Sequence, residues 1–158
     1  MIGGFTFRQA VWLFPPAFIL HVVEEWPQFT RWAQTHASGQ FTRRDYTAIH
    51  IAGIFASVLG ATLVWLFPSP AVVLLFFTFL FAPSVFFNAL FHAGASLLTR
   101  TYCPGVVTAI LIYLPLFILL IEHVYAERLL TPFALAASLL VAGLFHTWEV
   151  GHNVFKAW

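Results

Sequence analysis

The residues of this sequence able to do chemistry are few and clustered. His21-Val22-Val23-Glu24-Glu25 places an imidazole and two carboxylates at i, i+3 and i+4. On a helix these three fall within about 100° of arc and face one side. His146, Glu149 and His152 follow one another at steps of three, so on a helix they cover roughly 120°. Asn88 and His92 stand at i and i+4 on one face, and His50 stands alone. Imidazole and carboxylate without thiolate suit zinc, iron or manganese. His-x-x-Glu is the reverse of the Glu-x-x-His pairs that hold dinuclear centres inside four-helix bundles. Three carboxylates can bridge two ions, which favours a dinuclear centre over a mononuclear one. The ligand set expected is therefore His21, Glu24, Glu25, His50, His92, His146, Glu149 and His152. Glu25, at the helix end and nearest water, is the expected proton-transfer group or bridge to a second ion. Asn88 is expected to orient a ligand or substrate.

Each residue has a bland alternative. The two glutamates can face headgroups or Arg43 and Arg44, Asn88 and His50 can be packing hydrogen-bond partners, and His152 can sit at an interface. The spacing is not the H-E-x-x-H of zinc proteases. The single cysteine, Cys103, excludes an internal disulfide and a cysteine-rich metal site.

What must position these groups is a bundle of membrane helices. The chain has 158 residues, of which 61% are hydrophobic and only 8% charged. Soluble domains carry roughly 25% charged residues, so this chain has too little polar surface to face water. With a mean hydropathy of +0.88 it reads as a single all-α, polytopic membrane domain. Its net charge of +1 gives no reason to expect nucleic acid as a partner. Arg8 before an apolar run does not read as a signal peptide, because no small-x-small cleavage site follows.

Five spans of about 20 residues are expected, near 8–26, 43–67, 71–98, 104–125 and 132–155, as an up-and-down bundle. Prolines 15, 16, 83 and 115 lie inside them and should kink them. Thr42 with Asp45, and Thr131 before Pro132, read as helix starts. The linker 27–41 has amphipathic character suited to an interface, and Trp26, Trp32, Trp148 and Trp158 suit an aromatic belt. Arg31, Arg43, Arg44, Arg100 and Lys156 fall on one side, against Arg8 and Arg128 on the other. The positive-inside rule then puts the C-terminus in the cytoplasm and the N-terminus outside, as in a prokaryotic inner membrane. At about 1.5 Å per residue, the first, second, third and fifth helices all put histidine or carboxylate in one leaflet. Glu122 and His123 lie at the opposite interface.

The His21-to-Glu25 pentad in a short multi-helix membrane protein resembles the family named for its HXXEE motif. That resemblance implies that His21, Glu24 and Glu25 matter most, and it accounts for the Asn88-to-His92 element and the late histidines. It implies no reaction.

The function this pattern favours is an integral membrane metalloenzyme, hydrolytic or oxidative, using iron or zinc on a lipid-like or other apolar substrate from the bilayer. Two alternatives remain open: a metal-free His/Glu acid–base isomerase of a hydrophobic substrate, and a protein that binds or transports a cation without chemistry. A homo-oligomer is compatible with the sequence.

Overall fold

In the computed structural model, which describes residues 4–156, every regular element is helical. Trp158 lies outside the described residues. Helix α1 covers residues 7–25, α2 Phe29–His36, α3 Arg43–Leu66, α4 Pro70–Thr99, α5 Val106–Ala126 and α6 Pro132–Phe155. Four of them, α3 to α6, are long and apolar enough to cross a membrane, against the five expected. The first helix falls short because Arg8, Gln9, the paired prolines, His21 and the two glutamates interrupt its apolar run.

The helix starts follow local chemistry. Thr42 and Asp45 close a reciprocal capping box at the head of α3. Ser69 and Thr131 each accept a backbone N–H at helix starts where proline takes the first position. Proline inside a helix forfeits its hydrogen bond to residue i−4 and crowds that carbonyl. Here the winding changes beside each such site. A 3₁₀ turn, Val11–Leu13, precedes Pro15 and Pro16 in α1. Wide π turns at Phe77–Phe81 and Pro83–Phe87 bracket Pro83 in α4, and another at Ala109–Tyr113 precedes Pro115 in α5.

In lipid, helices gain no hydrophobic driving force from meeting, so close packing and polar links hold them together. Phe14 sits edge-on to Phe18, Phe76 and Phe81, with ring centroids 6.0, 6.0 and 5.4 Å apart. Gly53 has no side chain where a Cβ would stand 2.6 Å from the Phe18 ring, and this lets α1 lie against α3. Thr78 donates to Ser138 at 2.8 Å and links α4 to α6. The outer faces carry exposed Phe55, Leu97, Leu98, Phe133 and Leu140, the apolar exterior that a bilayer solvates.

The amphipathic linker folds into a helix with one buried face. Helix α2 buries Phe29, Trp32 and Ala33 in a cluster with Phe41, Tyr46 and Cys103. Trp32 is therefore a packing residue rather than part of a belt, whereas Trp26 and Trp148 are exposed. At the opposite end of the bundle, Glu122 is exposed but His123 is buried. His123 Nδ1 lies 3.5 Å from Glu127, which also accepts the Phe7 N–H. That pair ties the start of α1 to the end of α5.

Candidate metal centre

The two carboxylates of the motif part company at the end of α1. Adjacent residues on a helix point about 100° apart, and the chain uses that divergence. Glu24 turns to the loop before α5 and caps it. Its oxygens accept the backbone N–H groups of Gly105 at 3.1 Å, Val107 at 3.0 Å and Thr108 at 2.7 Å. They also accept the hydroxyls of Thr108 and Tyr102, at 2.5 and 2.6 Å. A carboxylate over the unpaired amides of a helix N-terminus is favoured by both hydrogen bonding and the helix dipole. Partial burial and then the Glu24 carboxylate push the Tyr102 hydroxyl up to about 12.

Glu25 turns the other way and is buried, at 2% exposure. The sequence suggests it should be the carboxylate nearest water. The loop 100–105 and α2 close over this end of the bundle, so being last in the helix does not expose it. Three histidines from three helices point Nε2 at its carboxylate. His92 of α4 lies 3.1 Å and His21 of α1 3.6 Å from Oε1, and His50 of α3 lies 2.8 Å from Oε2. Tyr46, one turn before His50, donates to Oε2 at 3.2 Å.

The other ring nitrogen of each histidine is also engaged. Thr108 gives its only hydroxyl proton to an acceptor oxygen, so at 2.8 Å it must accept from His21 Nδ1–H. His21 therefore keeps its Nε2 turned to the site, with the Asn88 amide 3.2 Å away. His50 Nδ1 donates to the Tyr46 carbonyl at 2.7 Å. His92 Nδ1 meets the Cys103 thiol at 3.3 Å. Burial, and next the nearby Glu25 and Glu24, push that thiol up to about 12, so it stays protonated at neutral pH. Metal-binding histidines characteristically anchor one nitrogen in this way to fix the tautomer and aim the other.

Gly105 closes the site from the loop. Its φ is +101°, and a Cβ there would lie 2.8 Å from Cε1 of both His21 and His92 and 3.0 Å from Cγ of Glu25. Only glycine fits this backbone against the ligand shell. The Tyr113 ring packs 4.5 Å from His21, and its buried hydroxyl has no hydrogen-bond partner.

Among the described residues, one set of three or more ligand atoms lies mutually within 4.8 Å, that of His21, Glu25 and His92. This trio can hold a metal ion, and His50 joins it through the second oxygen of Glu25. His146 and Glu149 stand apart, lining a cavity of about 120 Å³ that opens beside Glu25, His50 and His92. His152 is exposed and stacks on Trp148, with centroids 5.6 Å apart, so the π turn Gly151–Phe155 leaves it on the outer face. Glu24 is used up as a cap.

Sequence reasoning passed over Tyr46, Thr108, Tyr102, Cys103 and Gly105. Tyr46 had a usable signal, lying one turn from His50 on the same face. The other four act through a loop whose path no periodicity reveals.

Residues 12–120 match the model of a family described as "Protein of unknown function with HXXEE motif". The chain belongs to the HXXEE family. The matched stretch contains His21, Glu24, Glu25, His50, Asn88 and His92, and ends before His146. No curated protein and no solved structure matches the chain.

Proposed function

We propose that this HXXEE protein is an integral membrane metalloenzyme that acts on an apolar molecule drawn from the bilayer. The observation that carries the reading is the convergence of three Nε2 atoms on the buried Glu25 carboxylate, each imidazole tethered at its other nitrogen. A buried carboxylate ringed by histidines is costly unless compensated, and a divalent ion is the compensation this donor set suits. His21, His92 and Glu25 would hold one ion, with His50 on the far oxygen of Glu25. One ion is favoured over two, because Glu24 has no lone pair left to offer. The absence of thiolate from the inward-facing donors favours zinc, iron or manganese.

Once bound, such an ion supplies Lewis acidity and an activated oxygen ligand. The chain's own residues do the rest. Glu24 and Thr108 hold the His21 tautomer, Asn88 offers an amide beside His21 Nε2, and the cluster of Phe29, Trp32 and Phe41 keeps bulk water out. We further read α1 as a fifth span, because its outward face carries exposed Leu13, Leu20 and Val23 beside the apolar exterior of the other helices. The site then lies in the leaflet on the side of Arg31, Arg43, Arg44, Arg100 and Lys156, the cytoplasmic side by the positive-inside rule.

A second reading rests on one contact. With His50 Nδ1 donating to Tyr46, the 2.8 Å contact between Nε2 and Glu25 requires a proton between them. Such a pair can move a proton on a hydrophobic substrate without any metal. Elemental analysis of protein purified without chelator decides between the two. The metalloenzyme reading expects close to one transition ion per chain, lost in Glu25→Gln and His92→Ala. Protein that neither retains nor rebinds an ion leaves the proton-transfer reading.

A further inference from the structure

The cavity beside the metal centre has features of its own. It is walled by Phe18, Phe29, Phe91 and Val154, and two ionisable side chains of α6, His146 and Glu149, break that apolar wall. Nε2 of His146 is fully buried and has no hydrogen-bond partner. Among the described residues Arg8 Nε and the Tyr113 hydroxyl share this state, but of the three residues His146 alone lines the cavity, where a group from outside the chain can satisfy it. A second cation does not fit the role well. Among the described residues His146 and Glu149 join no set of three or more close-set ligand groups, and two side chains alone hold an ion poorly. The volume points the same way. An engineered cavity of about 150 Å³ accepts a benzene ring, so about 120 Å³ takes a fragment of about five or six heavy atoms.

We infer that this cavity binds the polar end of an otherwise apolar molecule, a hydroxyl or carbonyl group on an aliphatic chain. His146 Nε2 is its hydrogen-bond anchor, and Glu25, His50 and His92 stand at the cavity's inner wall. An aliphatic alcohol or aldehyde has the right chemistry. It brings one hydrogen-bonding group for one orphaned nitrogen and methylenes for the phenylalanine walls. A carboxylate is disfavoured, because Glu25 and Glu149 would repel it. This deepens the metalloenzyme reading by naming its substrate class, and the binding itself does not require that reading to hold.

The test uses the full chain in lipid nanodiscs and a photoreactive alkyl diazirine ending in a hydroxyl, alongside its hydroxyl-free analogue. Labelled peptides are mapped by mass spectrometry. The hydroxyl probe is expected to label the peptides carrying Phe91 and Val154 at least tenfold more than the analogue does, and excess 1-pentanol should displace it. His146→Leu should abolish that excess while leaving lipid-facing labelling on Leu97 and Phe133 unchanged. His146→Gln, which restores a hydrogen-bonding group, should recover part of it. Equal labelling by both probes, or wild-type labelling in His146→Leu, overturns the proposal. So does a second ion per chain that His146→Leu removes. Metal content is measured on the same samples, so a chain without metal that still shows the hydroxyl-dependent labelling refutes the metalloenzyme reading and leaves this one standing.

Discussion

Gly105→Ala is the most direct perturbation of the site from outside its ligands. The new methyl group would stand 2.8 Å from Cε1 of His21 and of His92 and 3.0 Å from Cγ of Glu25, where ordinary contacts begin near 3.4 Å. All three neighbours must retreat by about half an ångström, or the loop must move. The backbone adds its own cost, since φ of +101° is strained for any residue with a Cβ, by about 1–3 kcal/mol. Displacing three tethered side chains adds overpacking of about 1–3 kcal/mol. The sum, about 2–6 kcal/mol, divides between folding stability and metal affinity. Even if only 2 kcal/mol falls on the bound state, affinity drops about 30-fold. Competition with a chromophoric chelator reads that affinity, and thermal unfolding with and without ion reads the remainder. Gly94→Ala is the control. It meets nothing within 4 Å, lies inside α4, and should hold or raise stability through helix propensity. Gly105→Ala with wild-type affinity and wild-type unfolding would refute the placement of the loop over the histidines.

The remaining predictions separate the parts of the site. Glu24→Gln exchanges a carboxylate for an amide whose NH₂ faces other donors, so folding stability should fall by about 2–4 kcal/mol in a denaturant titration. Glu25→Gln should lose metal binding altogether by elemental analysis and should also fold less stably, by about 3–5 kcal/mol, since it breaks the buried pair with His50. Adding zinc at about 100 times its dissociation constant should raise wild-type stability by about 2.7 kcal/mol, and chelation should reverse the gain. Cys103, raised from 9.0 to about 12 and buried, should resist maleimide at pH 8 in the folded chain and react once the chain is denatured. Because the unfolded thiol ionises first, Cys103 should also cost the folded state stability as pH rises above about 9, seen as a falling unfolding midpoint that is absent in Cys103→Ala.

What the sequence made legible was mostly depth and periodicity. Charge in an apolar chain marks its own importance, and counting residues from each helix end brought His21, Glu25, His50 and His92 to one level. The caps at Thr42 and Thr131 were readable from residue type alone. The division of labour between Glu24 and Glu25 was not readable, because adjacent residues differ only in azimuth. Which azimuth faces the histidines depends on how a loop some 80 residues later folds back. The same loop explains why Glu25, last in its helix, is buried. Depth alone also grouped His146, Glu149 and His152 with the ligands, although the three face a cavity, a cavity and the exterior. Of the five expected spans, α1 is the one not apolar enough by itself to cross a membrane, for a related reason. The residues that make it functionally interesting are the ones that lower its hydropathy.

The reach of Glu24 has a consequence for how the protein is made. Its partners Gly105 and Thr108 lie 81 and 84 residues downstream. At a synthesis rate of about 5–20 residues per second, α1 leaves the ribosome about 4–16 seconds before the loop that satisfies Glu24 exists. Over that interval Glu24 lacks the partners it has in the finished chain, and α1 is a poor candidate for early commitment to the bilayer core. Its Glu24 is satisfied only when the emerging head of α5 arrives. Glu24 thus favours an order of assembly in which the first helix translated is among the last to be locked in place.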